Sequence, residues 1–248
     1  MPTYELARRT LDPGLFSDNA EKMQRFYVEE VGLPLLERLP HSDTYAEIFF
    51  TAPGGKLKIQ ASTLPMAPAV TGYRELLIAR PGVTSVQPFT DPDGLPVQLV
   101  PPGDRGVTHF GYVVAVPDVA AQRRFYIDGM GATDVEGALR VGDTQLFVEH
   151  APGAETPTPP MRRGFTYITV IPHDLEAAHA ALLAAGGQHS MRTLRLADRC
   201  LFSWLRDPNG NWVEIVQYAE LSGPLPDVER LDKHWDEVVR WREEAVTF

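Results

Sequence analysis

One turn and strand is written twice in this chain, and that duplication constrains the fold more than any other feature. DPDGLPVQLV (Asp91 to Val100) and DPNGNWVEIVQ (Asp207 to Gln217) carry Asp, Pro, Gly and two valines in step. The later copy has Glu214 where the earlier has Gln98. A chain that repeats a local unit builds its core by setting copies of that unit side by side.

The remainder follows the same repeat. NAEKMQRFYVEEVGLPLLERL (from Asn19) and DVAAQRRFYIDGMGATDVEG (from Asp118) each open on a capping residue, carry the pair Phe-Tyr and close on Gly. The cap side chain satisfies free amides of the first turn, and Gly ends a helix in the left-handed region. A third helix, DLEAAHAALLAAGG (from Asp174), has the same cap and an apolar period near 3.6. Apolar strands FGYVVAVP (from Phe110) and FTYITVIP (from Phe165) precede two of these helices. Short strands such as YAEIFFTA, KLKIQAS, TQLFVEH, CLFSWL and WVEIVQY follow them. Strand, helix and three strands thus recur in modules over about residues 4–64, 70–101, 106–151 and 161–218, joined by Pro-rich loops. The second has no room for its helix. In the tail from Asp227, Leu231, Trp235, Val238 and Trp241 stand at helical spacing, which predicts a helix laid on a sheet or offered to a partner.

With 248 residues, the chain has room for one large domain or two ordinary ones. No apolar run approaches the roughly 20 residues that span a bilayer, and the start, MPTYELARRT, has no apolar stretch suited to a signal peptide. The net charge is -10 with no basic run, which argues against nucleic acid as a partner. A single cysteine, Cys200, fits a reducing compartment and is expected to be a small buried hydrophobe. The expectation is a cytoplasmic monomer or homodimer that meets a small molecule and neither membrane nor nucleic acid.

The Phe-Tyr helix with its Gly end, the Asp-Pro-x-Gly turn and the module count resemble the vicinal oxygen chelate superfamily over about residues 4 to 218. That group includes glyoxalase I, bleomycin-resistance proteins and extradiol dioxygenases. The resemblance implies an α+β fold in which βαβββ modules pair and their sheets curl into cups, with the first and last strands of each module pointing inward. Four modules, the second truncated, then form two curled-sheet domains and a C-terminal helix. The division expected is 1–102 (modules 1 and 2), 103–220 (modules 3 and 4) and a tail over 221–248. The other pairing, 1 with 4 and 2 with 3, sets Asp12 and Gln60 opposite Tyr167 and Glu214.

The resemblance also implies a divalent metal (Zn, Ni, Mn or Fe) on His and Glu ligands, with an open position for substrate oxygens. The last-strand ligand lies seven residues after the turn Asp, on Glu214. Aligning TQLFVEH with KLKIQAS sets Glu149 opposite Gln60, so the closing strands carry Gln60 and Gln98 in one half and Glu149 and Glu214 in the other. Counting fourteen residues back from Phe-Tyr places the usual His position on Gly111, with His109 two residues earlier on the same strand face. The same position falls on Tyr167 in module 4 and on Asp12 in module 1. His109, Glu149 and Glu214 are therefore the metal candidates, and Glu149, Glu214 and Tyr167 the catalytic ones. His189 is a further loop group that could enter the cup, whereas His173 and His179 are assigned to a helix cap and a helix surface.

Three functions follow from the resemblance. The first is a glyoxalase-like, metal-assisted lyase or isomerase, in which a glutamate moves a proton beside the carbonyl of a small carbonyl or thioester-like metabolite in the C-terminal cup. The second is a metal-free binder of a drug or aromatic metabolite, of bleomycin-resistance type, with Tyr112, Tyr167, Trp204 and Trp212 lining its cleft. The third, extradiol ring cleavage, needs two His and one Glu, and Trp204 stands where that signature has Tyr.

Overall fold

The computed structural model describes residues 4–231 and 235–244. Module 1 comprises β1 (Asp12–Ser17), α1 (Ala20–Arg25), β2 (Leu35–Pro40), β3 (Tyr45–Ala52) and β4 (Gly55–Ser62). Module 2 has β5 (Tyr73–Ala79), β6 (Gln87–Thr90) and β7 (Pro96–Val100), with no helix, as its length requires. Module 3 runs through β8 (Phe110–Val116), α2 (Val119–Arg124), β9 (Thr133–Val135), β10 (Ala138–Val141) and β11 (Thr144–His150). Module 4 has β12 (Gly164–Val170), α3 (Leu175–Ala184), β13 (Gln188–Leu196), β14 (Cys200–Arg206) and β15 (Trp212–Tyr218). The tail adds α4 (Ala219–Ser222) and α5 (Trp235–Glu244).

Local chemistry repeats as closely as the sequence does. Both Phe-Tyr pairs sit where the helix widens into a π turn, Phe26–Glu30 after α1 and Phe125–Gly129 after α2. Asp118 and Asp174 cap α2 and α3 by accepting from the amides of Ala121 and Ala177, whereas Asn19 makes no such bond. In the duplicated turn, Asp91 accepts from the amides of Asp93 and Leu95, and Asp207 from those of Asn209 and Asn211, all at 2.9 Å. Gly94 (φ 93°) and Gly210 (φ 87°) occupy the left-handed position that this turn demands.

The sheets do not follow the division at residue 102. One runs β13-β14-β15-β12-β1-β4-β3-β2 and joins modules 1 and 4; the other runs β6-β7-β5-β8-β11-β10-β9 and joins modules 2 and 3. The seams are antiparallel, β1 on β12 and β5 on β8. A single residue shows why module 1 turns to module 4. A Cβ on Gly14 would lie 2.0 Å from Cζ of Tyr167, so the missing side chain makes room for that ring across the seam. Between the sheets and their helices lies one apolar core, from Leu15, Tyr27 and Phe50 to Tyr112, Phe125 and Phe165. Tyr73 donates to the carbonyl of Trp212 (3.0 Å) and Tyr112 to that of Leu11 (2.5 Å), tying one sheet to the other.

The tail helix closes the concave face of the first sheet. Val238 and Trp241 are buried there, and Trp241 packs on Trp204 and Trp212 with ring centroids 5.7 and 5.5 Å away. The side chain of Trp235 lies outside the described residues. No described helix is long and apolar enough to cross a membrane.

Candidate functional site

Each module lays its opening strand parallel and adjacent to its closing strand. The pairs Gly14–Lys58, Leu77–Gln98, Val113–Phe147 and Thr169–Glu214 occupy equivalent places. Lys58, Gln98, Phe147 and Glu214 are therefore the same position in four modules, and Asp12, Glu75, Gly111 and Tyr167, two residues before each opening-strand partner, are another. Gln60 and Glu149 do correspond, as the sequence suggests. They lie two residues beyond the Glu214 position, so the expected split into a Gln half and a Glu half mixes two positions.

The metal candidates are not brought together. Glu214 is buried on β15 of the first sheet, facing the cup with Trp212 and Val216. Glu149 belongs to β11 of the second sheet and is exposed. His109 precedes β8 of that sheet, half-buried against Gly54 and 3.1 Å from the Thr108 hydroxyl. The physical reason is the module pairing, which sends modules 3 and 4 into different sheets. Tyr167 does share the cup with Glu214, whereas Tyr112 belongs to the core between the sheets. His189 pairs with Leu205 at the start of β13, its Nδ1 3.3 Å from Nε2 of His179. His179 is itself buried, 2.9 Å from the Ser203 hydroxyl, so both histidines serve the packing of α3 on the sheet.

Around Glu214 stands a charged network that the sequence reading missed. Lys58 Nζ lies 2.5 Å from Glu214 Oε2, which also accepts from Thr169 Oγ1 at 2.9 Å. The same ammonium is 3.8 Å from Glu47 Oε1 and 5.0 Å from the centre of the Tyr167 ring. Glu47 Oε2 meets His41 Nε2 at 3.0 Å. Tyr167 accepts from Gln60 Nε2 at 2.6 Å, and Arg242 of α5 donates to both Gln60 Oε1 and the Tyr45 hydroxyl at 2.8 Å. The signal was in KLKIQAS: Lys58 and Gln60, two apart on one strand, share a face. A cavity of about 40 Å³ remains beside this network, lined by Phe49, Lys58, Phe202, Glu214, Leu231 and Arg242 among others.

Burial works against the charges of Lys58 and Glu47, and pairing overrides it. For Lys58, burial favours the neutral amine, but Glu214 and Glu47 outweigh it and hold the group above the usual lysine range as an ammonium. For Glu47, burial favours the acid, but Lys58 and His41 hold its pKa at about 2. Cys200 is buried, as expected, and burial together with Glu47 and Glu214 pushes its thiol up to about 12, far from a thiolate.

The divalent metal implied by the fold does not fit this donor set. The position equivalent to Glu214 in module 1 holds an ammonium, which would repel a dication at hydrogen-bonding range. The remaining carboxylates are engaged, Asp12 by Arg8 at 2.6 Å and Glu47 by His41 and Lys58. Among the described residues, no cluster of three or more His, Cys, Asp or Glu side chains could hold a metal.

Paired βαβββ modules with curled sheets and inward-facing end strands define the vicinal oxygen chelate class of folds. Residues 106–215, modules 3 and 4, match the sequence profile of the Glyoxalase/Bleomycin resistance protein/Dioxygenase superfamily, which bears out the family resemblance. No curated protein matches the chain significantly by sequence. Among solved structures, glyoxalase I from Zea mays is similar in fold, with 17% identity and a TM-score of 0.65 over 85% of this chain and 92% of that one. A putative dioxygenase from Bacillus subtilis aligns over 96% of both chains with 12% identity and a TM-score of 0.64. At these identities the likeness is one of fold.

Proposed function

We propose that this chain is a metal-independent small-molecule-binding protein whose site is the cup of modules 1 and 4. One observation carries the reading: Lys58 Nζ sits 2.5 Å from Glu214 Oε2, so the protein supplies its own cation at the carboxylate best placed to hold a metal. The cavity beside this pair has an apolar wall of Phe49, Phe202, Val216 and Leu231 and a charged wall of Glu47, Lys58, Glu214 and Arg242. Mostly apolar surface with a few fixed polar groups is the usual make-up of a small-molecule pocket. Trp204 packs against Arg242 of the charged wall, and Trp212 and Trp241 pack on Trp204 in turn. A ligand entering the cup is therefore expected to change their fluorescence.

The test is a thermal-shift screen of small apolar, aromatic and polar compounds, with hits titrated by tryptophan fluorescence in the presence and absence of a chelator. Binding that saturates at one site and is unchanged by the chelator is the expected result. Binding that disappears on chelation and returns with added metal would overturn the proposal.

A further inference from the structure

Arg242 enters the cup from α5 and is 4% exposed. Both of its hydrogen bonds, to Tyr45 and Gln60, use Nη1 and go to neutral oxygens. Its Nε is buried and meets no acceptor. Among the described residues the guanidinium forms no ion pair. The carboxylates nearby are committed elsewhere, Glu214 to Lys58 and Glu47 to His41 and Lys58. Trp204 and Tyr45 lie under the guanidinium, 5.5 and 5.9 Å from ring centre to Cζ, and hold its plane without neutralising it. A charge taken out of water is costly unless it is paired; Glu47 and Glu214 favour this one from beyond ion-pair distance, and no anion among the described residues touches it.

The unpartnered Nε belongs to a side chain that lines the cavity described above. The Nε edge is also the part of a guanidinium that grips a planar carboxylate at two points. Phosphate, with its higher charge, would face Glu47 and Glu214 at close quarters; a carboxylate brings a single negative charge. The cavity, about 40 Å³, admits a small head group, and Phe49, Phe202, Leu231 and the half-buried Leu196 are among its apolar lining. We infer that the ligand of this cup is a small organic acid, its carboxylate held by Arg242 and its apolar body laid against Phe49, Phe202 and Leu231. This rests on the reading of the cup as a ligand site.

Matched triplets with one apolar body and three head groups, such as phenylacetate, phenylacetamide and phenethylamine, test the inference by tryptophan-fluorescence titration of the full chain. The acid is expected to bind about tenfold more tightly than the amide, a difference in line with a charge-assisted bond replacing a neutral one. In Arg242→Gln that preference should vanish, and Arg242→Lys, which keeps the charge, should retain part of it. An amide or amine that equals the acid in the wild type would overturn the inference and leave the binding cup standing. Acetate or chloride binding as tightly as the apolar acid would overturn the assignment of an apolar body. A preference that survives in Arg242→Gln would overturn the role of Arg242. If Arg242→Gln fails to fold, the wild-type order of affinities and Arg242→Lys decide. If no member of any triplet binds, the reading of the cup itself falls, and the inference with it.

Discussion

The two cups of this protein share a frame and differ in what fills it. At the paired positions, the cup of modules 1 and 4 has Asp12, Lys58, Tyr167 and Glu214, and the cup of modules 2 and 3 has Glu75, Gln98, Gly111 and Phe147. In the first, charges are buried and paired beneath α5. In the second, Gln98 Nε2 donates to Glu75 Oε1 at 2.6 Å, and Arg105 donates to Gln98 at 2.9 Å while lying 5.3 Å from the centre of the Phe147 ring. That arrangement borders an open groove of about 460 Å³ shared with Glu149. Among the described residues neither cup holds a set of metal ligands, and they differ in what stands there: the first has a cation, Lys58, among its acids, and the second an amide, a glycine and an apolar ring. The frame is set by strand register; the chemistry is set by four side chains.

The comparison breaks first at Lys58. Lys58→Met should cost about 3–5 kcal/mol at neutral pH, because Glu214 and Glu47 are left buried without their cation. Denaturant unfolding measures this, and the loss should shrink on acidification as those carboxylates take up protons. A cost below about 1 kcal/mol would place the pair in water and make the two cups alike. Next comes the seam, where Gly14→Ala should cost about 1–3 kcal/mol by driving a methyl group into Tyr167. In the second cup, Gln98→Ala should cost only about 0.5–1.5 kcal/mol, the worth of a half-exposed hydrogen bond. Smallest of all, Glu149→Ala should change stability by no more than about 0.5 kcal/mol and leave cup ligand binding untouched.

The pH dependence sharpens the contrast. The folded pKa of Glu47, about 2, lies below its unfolded value, so its contribution is present above the ordinary glutamate range and is lost as pH falls through 2. Between roughly pH 4.3 and 2 the wild type should lose stability more steeply than Glu47→Gln. Equal slopes would show that Glu47 is not held by Lys58 and His41.

Much of the frame was legible in the sequence because it is written in local chemistry. The Asp-Pro-x-Gly turns, the caps at Asp118 and Asp174, the missing helix of module 2 and the inward face of Glu214 all depend on residues near one another in the chain. Pairing of the modules does not. It turns on contacts such as Gly14 against Tyr167, more than a hundred residues apart, and without it Glu149 and Glu214 look like neighbours. Lys58 was overlooked because an alignment that slipped by two residues put Gln60 in its place, and a slip of two keeps the same strand face. Arg242 was invisible for another reason: a tail helix with apolar spacing shows that it will dock, not which surface it will cover.

The most direct test of the central claim is calorimetric titration of chelator-treated wild-type protein with Zn²⁺, Ni²⁺ and Mn²⁺, read alongside elemental analysis of the purified chain. If Lys58 is the cation that balances Glu214, none of the three metals binds stoichiometrically. One equivalent taken up by the wild type and lost in Glu214→Gln would contradict the account.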